Sequence, residues 1–468
     1  MNEKAIIRLV RSATLKINYA GHTILVDPVF ADKGTLQSAL GVYKSPRVHL
    51  VMPISEITEG VDMVLLTHNH IDHYEPSVKQ HLPKDIPFYT QPQDKETLVQ
   101  DGFTNVEAIE KSKTIGNLTI HRTTASLPFG GRYRLIDFTL SNLVHANITT
   151  IGIVTRNNYN SLMDHLRMGR DWDLNRKNSG LTLFPPFAFN SEHKVYKGKI
   201  EALFNLRGYL MNNNEEYVVI SNTNIAYNID FDEVEAFHIE KGADITVLTY
   251  NTDDVTPRKF VISSDKNHRI TDMRYAVASD TGKQQCNLNV YFVKKDLLIS
   301  LVDNAYAHGC YDFEKDILQE NLQDLYIMNY EVKEYVAVID RIPTYFKRSM
   351  DLLKPEVREE LFYKHSTILT KVKDSVPARY KEGANVKNSI IADGCVIDGT
   401  VENSILFRSV KVGKGAVIRN SIVMEDTIVM ENASLDYTIT DKDVIIQPGR
   451  VLSGYETYPM VVVKGKVI

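Results

Sequence analysis

The rhythm of apolar and polar positions changes twice along the chain. Up to about residue 125, short β-like runs alternate with polar turns: Thr14-Leu-Lys-Ile-Asn18, Thr23-Ile-Leu-Val-Asp27 and Val61-Asp-Met-Val-Leu-Leu-Thr67. From about 126 to 350, strand-like and helix-like patterns alternate, which predicts a largely parallel sheet covered by helices. In the stretch 137–144, Leu140, Leu143 and Val144 recur at i, i+3 and i+4, one face of a helix with Asp137 near its start. Strands are expected at 150–155, 217–221, 244–249 and 289–293, and helices at 201–211 and 231–241. From about 384 no helical period survives. Ile or Val returns at intervals of about six, with small or turn-forming residues between, a repeat that builds a triangular β-solenoid. Residues 351–383, with Pro355 and Pro377, read as the connector into it.

Composition narrows the class. With 468 residues, 24% charged and 43% in the AVILMFWYC set, the chain is an ordinary globular one of several domains. Lys and Arg number 54 against 59 Asp and Glu, a net charge of −5, so the basic excess of a nucleic-acid binder is missing. Cys286, Cys310 and Cys395 are too few and too scattered for a disulfide framework or a Cys-rich zinc site, and read as reduced thiols. Charges interrupt every apolar run near the N-terminus, and no 18 consecutive apolar residues occur, so neither a signal peptide nor a spanning helix is expected. A cytoplasmic location follows as an expectation.

The run Thr67-His68-Asn-His70-Ile-Asp72-His73 is an HxHxDH motif directly behind an apolar strand. A loop leaving a strand end can aim His68 and His70 at one metal, and Asp72 and His73 at a second. Imidazole and carboxylate suit Zn²⁺ or another first-row divalent ion. This segment, with the upstream Gly21-His-Thr-Ile-Leu-Val-Asp27-Pro28, resembles the metallo-β-lactamase fold, an αββα sandwich. The resemblance covers residues 1 to about 125, roughly half of such a domain. It implies that further ligands and the facing sheet are absent, leaving an incomplete metal site of weak affinity. A metal-dependent hydrolase is one reading of the chain. His121 lies on a strand-like run and reads as structural.

The second motif is Ser126-Leu-Pro-Phe-Gly-Gly-Arg-Tyr-Arg-Leu-Ile-Asp137. Gly130 and Gly131 permit close backbone approach to a ligand, and Arg132 and Arg134 suit phosphate. Followed by βα alternation and a hexad solenoid, this segment resembles the glucose-1-phosphate adenylyltransferase family. The resemblance implies a Rossmann-like nucleotidyltransferase domain (126–350), the connector (351–383) and a left-handed β-helix (384–468), an α/β chain overall. It also makes Gly130, Gly131, Arg132, Arg134, Asp137 and Gly198 remnants of a substrate and nucleotide pocket.

Within that family the chain is similar to the regulatory, GlgD-type subunits. The family's glycine-rich loop and first strand are replaced by the lactamase-like half, as in a chimera joined inside a strand. Where the family pattern reads GDHIYKMD this chain reads Thr223-Asn224-Ile-Ala-Tyr-Asn-Ile-Asp230, so a metal carboxylate becomes Asn224. The second carboxylate survives as Asp312. The family's GTADA segment corresponds to Gly198-Lys-Ile-Glu-Ala202, and the sugar-phosphate lysine is lost near Tyr275-Ala276-Val277. These departures imply a chain without catalysis of its own, meeting Mg²⁺ only through a catalytic partner subunit in a heterotetramer that makes ADP-glucose for glycogen. An adenylyltransferase active by itself is the remaining alternative.

Overall fold

The computed structural model describes residues 6–19, 21–37, 44–67, 69–91, 94–108, 116–155, 158–177, 179–185, 196–257, 259–277, 279–280 and 282–468. The chain divides into two compact units, Met1–Lys113 and Thr114–Ile468, against the sequence expectation of a boundary near 125.

In the first unit a six-stranded sheet is built in the order Ile6–Arg11, Thr14–Tyr19, His22–Val26, Met63–Leu65, Phe88–Thr90, Val106–Ala108. The first three strands form an antiparallel meander, and the last three add in parallel. Short helices at Ile54–Thr58, Val78–His81 and Lys95–Gln100 supply the crossovers that parallel pairing requires. Val10, Leu25, Val64, Leu66, Tyr74, Phe88 and Phe103 form its core. Ile6, Ile7 and Leu9 on the first strand, at the edge of the sheet, stay more than 60% exposed.

The second unit contains the transferase-like body and the solenoid. Its main sheet runs Ile270–Tyr275, Phe260–Ser264, Gln284–Lys294, Ile245–Thr252, Ile327–Glu331, with Tyr217–Ser221 also pairing on Gln284–Lys294. The sheet is mixed, not largely parallel. The long strand Gln284–Lys294 is antiparallel to three neighbours, because residues 260–275 turn back as a hairpin instead of crossing through a helix. Thr150–Val154 pairs in parallel with Gly180–Phe184 in a separate two-stranded sheet. Helices form at Leu135–His145, which is buried on every side through Leu143, and at Phe231–Glu240. The expected helix 201–211 is instead two short ones, Lys199–Asn205 and Arg207–Met211, interrupted at Leu206. Around His121 there is no strand. Gly116–Thr119 is helical and a turn leads into the 3₁₀ segment Thr124–Ser126.

The solenoid stacks three five-stranded parallel sheets. Val396 pairs with Lys411 and Lys411 with Ile428, so one coil takes 15 or 17 residues. Asn388, Asn403 and Asn420 occupy equivalent corners at φ 41°, 46° and 45°, a conformation Asn tolerates better than most residues. The Asn388 amide donates to Asn403 Oδ1 of the next coil at 2.8 Å. The first coil strand is Arg379–Tyr380, ahead of the position 384 suggested by the apolar spacing. The stretch taken as a connector also carries the helix Pro355–Phe362.

Candidate functional site

Three places were marked by the sequence, and the structure treats each differently. The HxHxDH loop leaves the strand Met63–Leu65. His68 lies outside the described residues. Asp27, itself buried at φ 45°, accepts hydrogen bonds from the Thr67 amide at 2.7 Å and the Thr67 hydroxyl at 2.8 Å. Its Oδ2 lies 2.9 Å from His73 Nδ1, which orients that ring. His73 Nε2 then faces Asp72 Oδ2 at 3.9 Å. The His70 carbonyl accepts from the amides of His73 and Tyr74, which curls the loop tightly. Among the described residues, however, no three His, Cys, Asp or Glu side chains gather where a metal ion would lie. This bears on His70, Asp72 and His73 alone, His68 being outside the described residues; a zinc centre needs about three protein ligands on one ion.

The glycines of the second motif meet protein. Gly130 and Gly131 take φ 62° and 83° in the turn between Pro128–Phe129 and Tyr133–Arg134. A Cβ on Gly130 would touch Leu352 and Phe362, and one on Gly131 would touch Ile390 and Ala392 of the solenoid. Arg134 donates to Ser161, through its carbonyl at 2.7 Å and hydroxyl at 3.0 Å, and burial pushes its guanidinium pKa down. Arg132 is exposed beside the Tyr133 ring. Asp137 is fully buried, capping its helix through the Arg134 amide and bonding His165 at 2.5 Å. Burial pushes the His165 pKa down against the pull of Asp137, and its ring lies edge-on to the buried Trp172. Apart from the exposed Arg132, these residues have protein neighbours: Gly131 lies against the solenoid, Gly130 against Leu352 and Phe362, and Arg134 and Asp137 bond within the transferase-like body. Leu127, Phe129 and Phe138 share one apolar cluster with Ile405, Phe407, Ile422 and Met424. Beside it Arg122 donates to Asp441 at 2.7 Å, with both side chains almost wholly buried. Glu425 pairs with Lys442 at 3.0 Å; burial alone would raise the Glu425 carboxyl, but Lys442 holds it below its ordinary range.

The third place is the pocket expected to hold metal and phosphosugar. Gly198 has no room for a side chain, since a Cβ there would lie 2.0 Å from the Tyr311 carbonyl oxygen. The Asn224 amide donates to the Ile339 carbonyl at 3.1 Å and serves to pair chain segments. Asp312 accepts from the Tyr275 hydroxyl at 2.8 Å and from the Lys315 amide at 3.0 Å. Asn224 and Asp312 thus have separate protein partners. Sequence reasoning missed an ion pair here. Lys199 donates to Glu314, which also accepts from the fully buried Tyr291 hydroxyl at 2.7 Å. The Lys199 ammonium sits over the Tyr291 and Phe313 rings, 4.9 and 5.5 Å from their centroids. Its signal was the lysine directly after Gly198. A cation, a carboxylate and two rings fill space beside the glycine with protein.

Comparison with known proteins fits this division. A nucleotidyl transferase family model matches residues 113–342, and a GlmU-like C-terminal hexapeptide model matches 374–457. The glycogen biosynthesis protein GlgD of Bacillus subtilis is 35% identical over 354 residues, 76% of this chain and 93% of the relative. That of Geobacillus stearothermophilus is 40% identical over 371 residues, covering 79% and 96%. The chain belongs to the GlgD family. This family is related to the glucose-1-phosphate adenylyltransferases: that of Fervidobacterium nodosum is 30% identical over 341 residues, 72% of this chain and 81% of the relative. A beta-lactamase superfamily model matches residues 22–159, overlapping the transferase match. The structure gives the overlap from Thr114 onward to the second unit. No helix among the described residues is long and apolar enough to cross a membrane.

Proposed function

We propose that this chain is a regulatory, non-catalytic partner of a glucose-1-phosphate adenylyltransferase, acting in the synthesis of ADP-glucose for glycogen. The observation that carries this reading is the GlgD membership of residues from about 113 onward, supported by the bonds that Asn224, Asp312 and Lys199 make to other residues of the chain. Asn224 replaces a metal-binding carboxylate, and an amide does not neutralise phosphate charge as an anion-bound Mg²⁺ does. Mg²⁺ then enters only through the catalytic chain, in a cytoplasmic hetero-oligomer that we take to be a heterotetramer. Co-expressed with a catalytic homologue, the chain is expected to elute in one peak whose light-scattering mass fits two chains of each kind. Two separate peaks at micromolar concentration would refute the association.

The N-terminal unit is proposed to bind Zn²⁺ or another divalent ion only weakly and to hydrolyse nothing. His68, His70, Asp72 and His73 lie within one loop, and each protein ligand that is missing is replaced by exchangeable water, which lowers affinity by orders of magnitude. After dialysis against metal-free buffer, the full chain should retain far less than one equivalent of zinc. Stoichiometric zinc after dialysis, with slow hydrogen exchange across residues 63–73, would revive the hydrolase reading.

A further inference from the structure

His238 sits on the last turn of the helix Phe231–Glu240, facing the main sheet, with 1% of its surface exposed. Its Nδ1 lies 2.9 Å from the hydroxyl of Thr246, a wholly buried residue of the strand Ile245–Thr252. Its Nε2 is buried too and meets no hydrogen-bonding protein atom among the described residues. Two rings border the imidazole: Tyr217 edge-on, 5.5 Å between centroids, and Phe292 at 4.9 Å.

These surroundings suit a neutral ring. In a neutral imidazole one nitrogen donates and the other accepts, and the Thr246 hydroxyl can satisfy Nδ1 in either role. Either tautomer leaves Nε2 unpaired. A proton turns Nε2 into a charged donor that still has no acceptor, and a buried unmade bond costs more when the group is charged. The charged groups on the surrounding elements do not compensate. Lys294, at the end of the strand Gln284–Lys294, adds a like charge and pairs with the exposed Glu216 at 3.7 Å. Asp244 accepts from the Tyr326 amide at 2.7 Å. On Ile327–Glu331, Tyr330 donates to Glu233 at 3.3 Å. On the helix itself Glu235 and Glu240 are exposed, and Lys241 pairs with Glu240 at 3.1 Å. Burial, and then the Lys294 charge, hold the His238 pKa below its ordinary range against the smaller pull of Asp244.

We infer that His238 is a proton-sensitive latch between the helix Phe231–Glu240 and the main sheet, closed by the neutral ring and released when the ring takes up a proton. Release frees the last helical turn and the Tyr217 end of the strand Tyr217–Ser221, which packs on both His238 and Phe292. That strand leads directly to Asn224, one of the positions marked in the sequence. A released ring takes up its proton at about pH 6.5, and the closed ring only at a lower pH. The released state therefore binds more protons in that window. Closure is fully favoured above about pH 6.5 and is lost as the pH falls from there toward the closed-state value.

The test compares hydrogen exchange of the full chain at about pH 7.5 and about pH 5.5, corrected for intrinsic rates. Protection across 234–241 is expected to fall several-fold at the lower pH, up to about tenfold one unit below the released value, while the solenoid strands stay unchanged. His238→Gln can still bond Thr246 and does not titrate there, and His238→Phe keeps an aromatic ring in the same place; in either variant the loss of protection should vanish. In the unmodified chain, the imidazole Cε1 signal that is missing from the variants should titrate with a midpoint below about 6.5. Equal protection at both pH values, a pH dependence that persists in a folded variant, or a midpoint at or above the ordinary value would overturn the inference.

Discussion

Given ATP, glucose 1-phosphate and Mg²⁺, the purified chain is expected to release ADP-glucose no faster than the protein-free control. Phosphoryl chemistry of this kind rests on positioning and charge neutralisation, and the residues at the expected pocket are engaged with other protein groups. The only consecutive glycines in the chain are Gly130 and Gly131, and both are spent on a turn packed against protein. No glycine-rich loop remains to cradle a triphosphate with backbone amides. The Asn224 amide is committed to the Ile339 carbonyl, and Asp312 to Tyr275 and Lys315. Lys199 and Glu314 hold each other beside Gly198. Asn224→Asp alone should leave the rate at background, because it restores one carboxylate and no loop. Turnover by the unmodified chain that Asp312→Ala abolishes would show that the pocket still works.

The second large effect is expected from the junction of the transferase-like body with the solenoid. Arg122 and Asp441 are 319 residues apart in sequence and expose only 3% and 2% of their side chains. Removing one partner leaves a buried charge without compensation, which typically costs about 3–5 kcal/mol. The guanidinium also meets the Met424 sulfur at 4.0 Å, a weak acceptor. Asp441→Ala should therefore lower the urea midpoint of the second unit by an amount equal to about 3–5 kcal/mol. Arg122→Met with Asp441→Leu should lose far less, because replacing a whole buried pair by apolar residues is often neutral. If Asp441→Ala changes stability by less than about 0.5 kcal/mol, the range of ordinary surface substitutions, the pair does not hold the junction. Cys395 gives a local check: burial pushes its thiol up to about 11, so it should resist alkylation until the solenoid opens.

The features legible in the sequence are those written in local periods. The solenoid announces itself because its inward Ile and Val positions and its left-handed Asn corners repeat along the chain. Its first strand escaped notice since Arg379 and Tyr380 are exposed and carry no apolar signal. The HxHxDH motif was visible, but Asp27, which holds Thr67 and His73, lies 40 and 46 residues upstream of them and has no spacing to betray it. The Lys199–Glu314 pair spans 115 residues, so Lys199 beside Gly198 was in view while its partner was not. The motif around Gly130 identified the family correctly, and the contacts it makes within the chain were not legible. Its glycines and Arg134 contact protein, a fact set by Leu352, Phe362, Ile390 and Ser161, all distant in sequence. The parallel sheet expected from βα alternation became mixed because residues 260–275 form a hairpin that periodicity alone cannot orient.

The central claim, regulation without catalysis, is tested most directly by titrating the full chain into a catalytic glucose-1-phosphate adenylyltransferase at fixed concentration and following kcat and KM for ATP and glucose 1-phosphate. The account predicts a saturable change in kcat/KM that levels off at one regulatory chain per catalytic chain and is unaffected by Asp312→Ala in the added chain. Kinetics of the catalytic enzyme that stay constant through a several-fold excess, with both proteins folded, would contradict it.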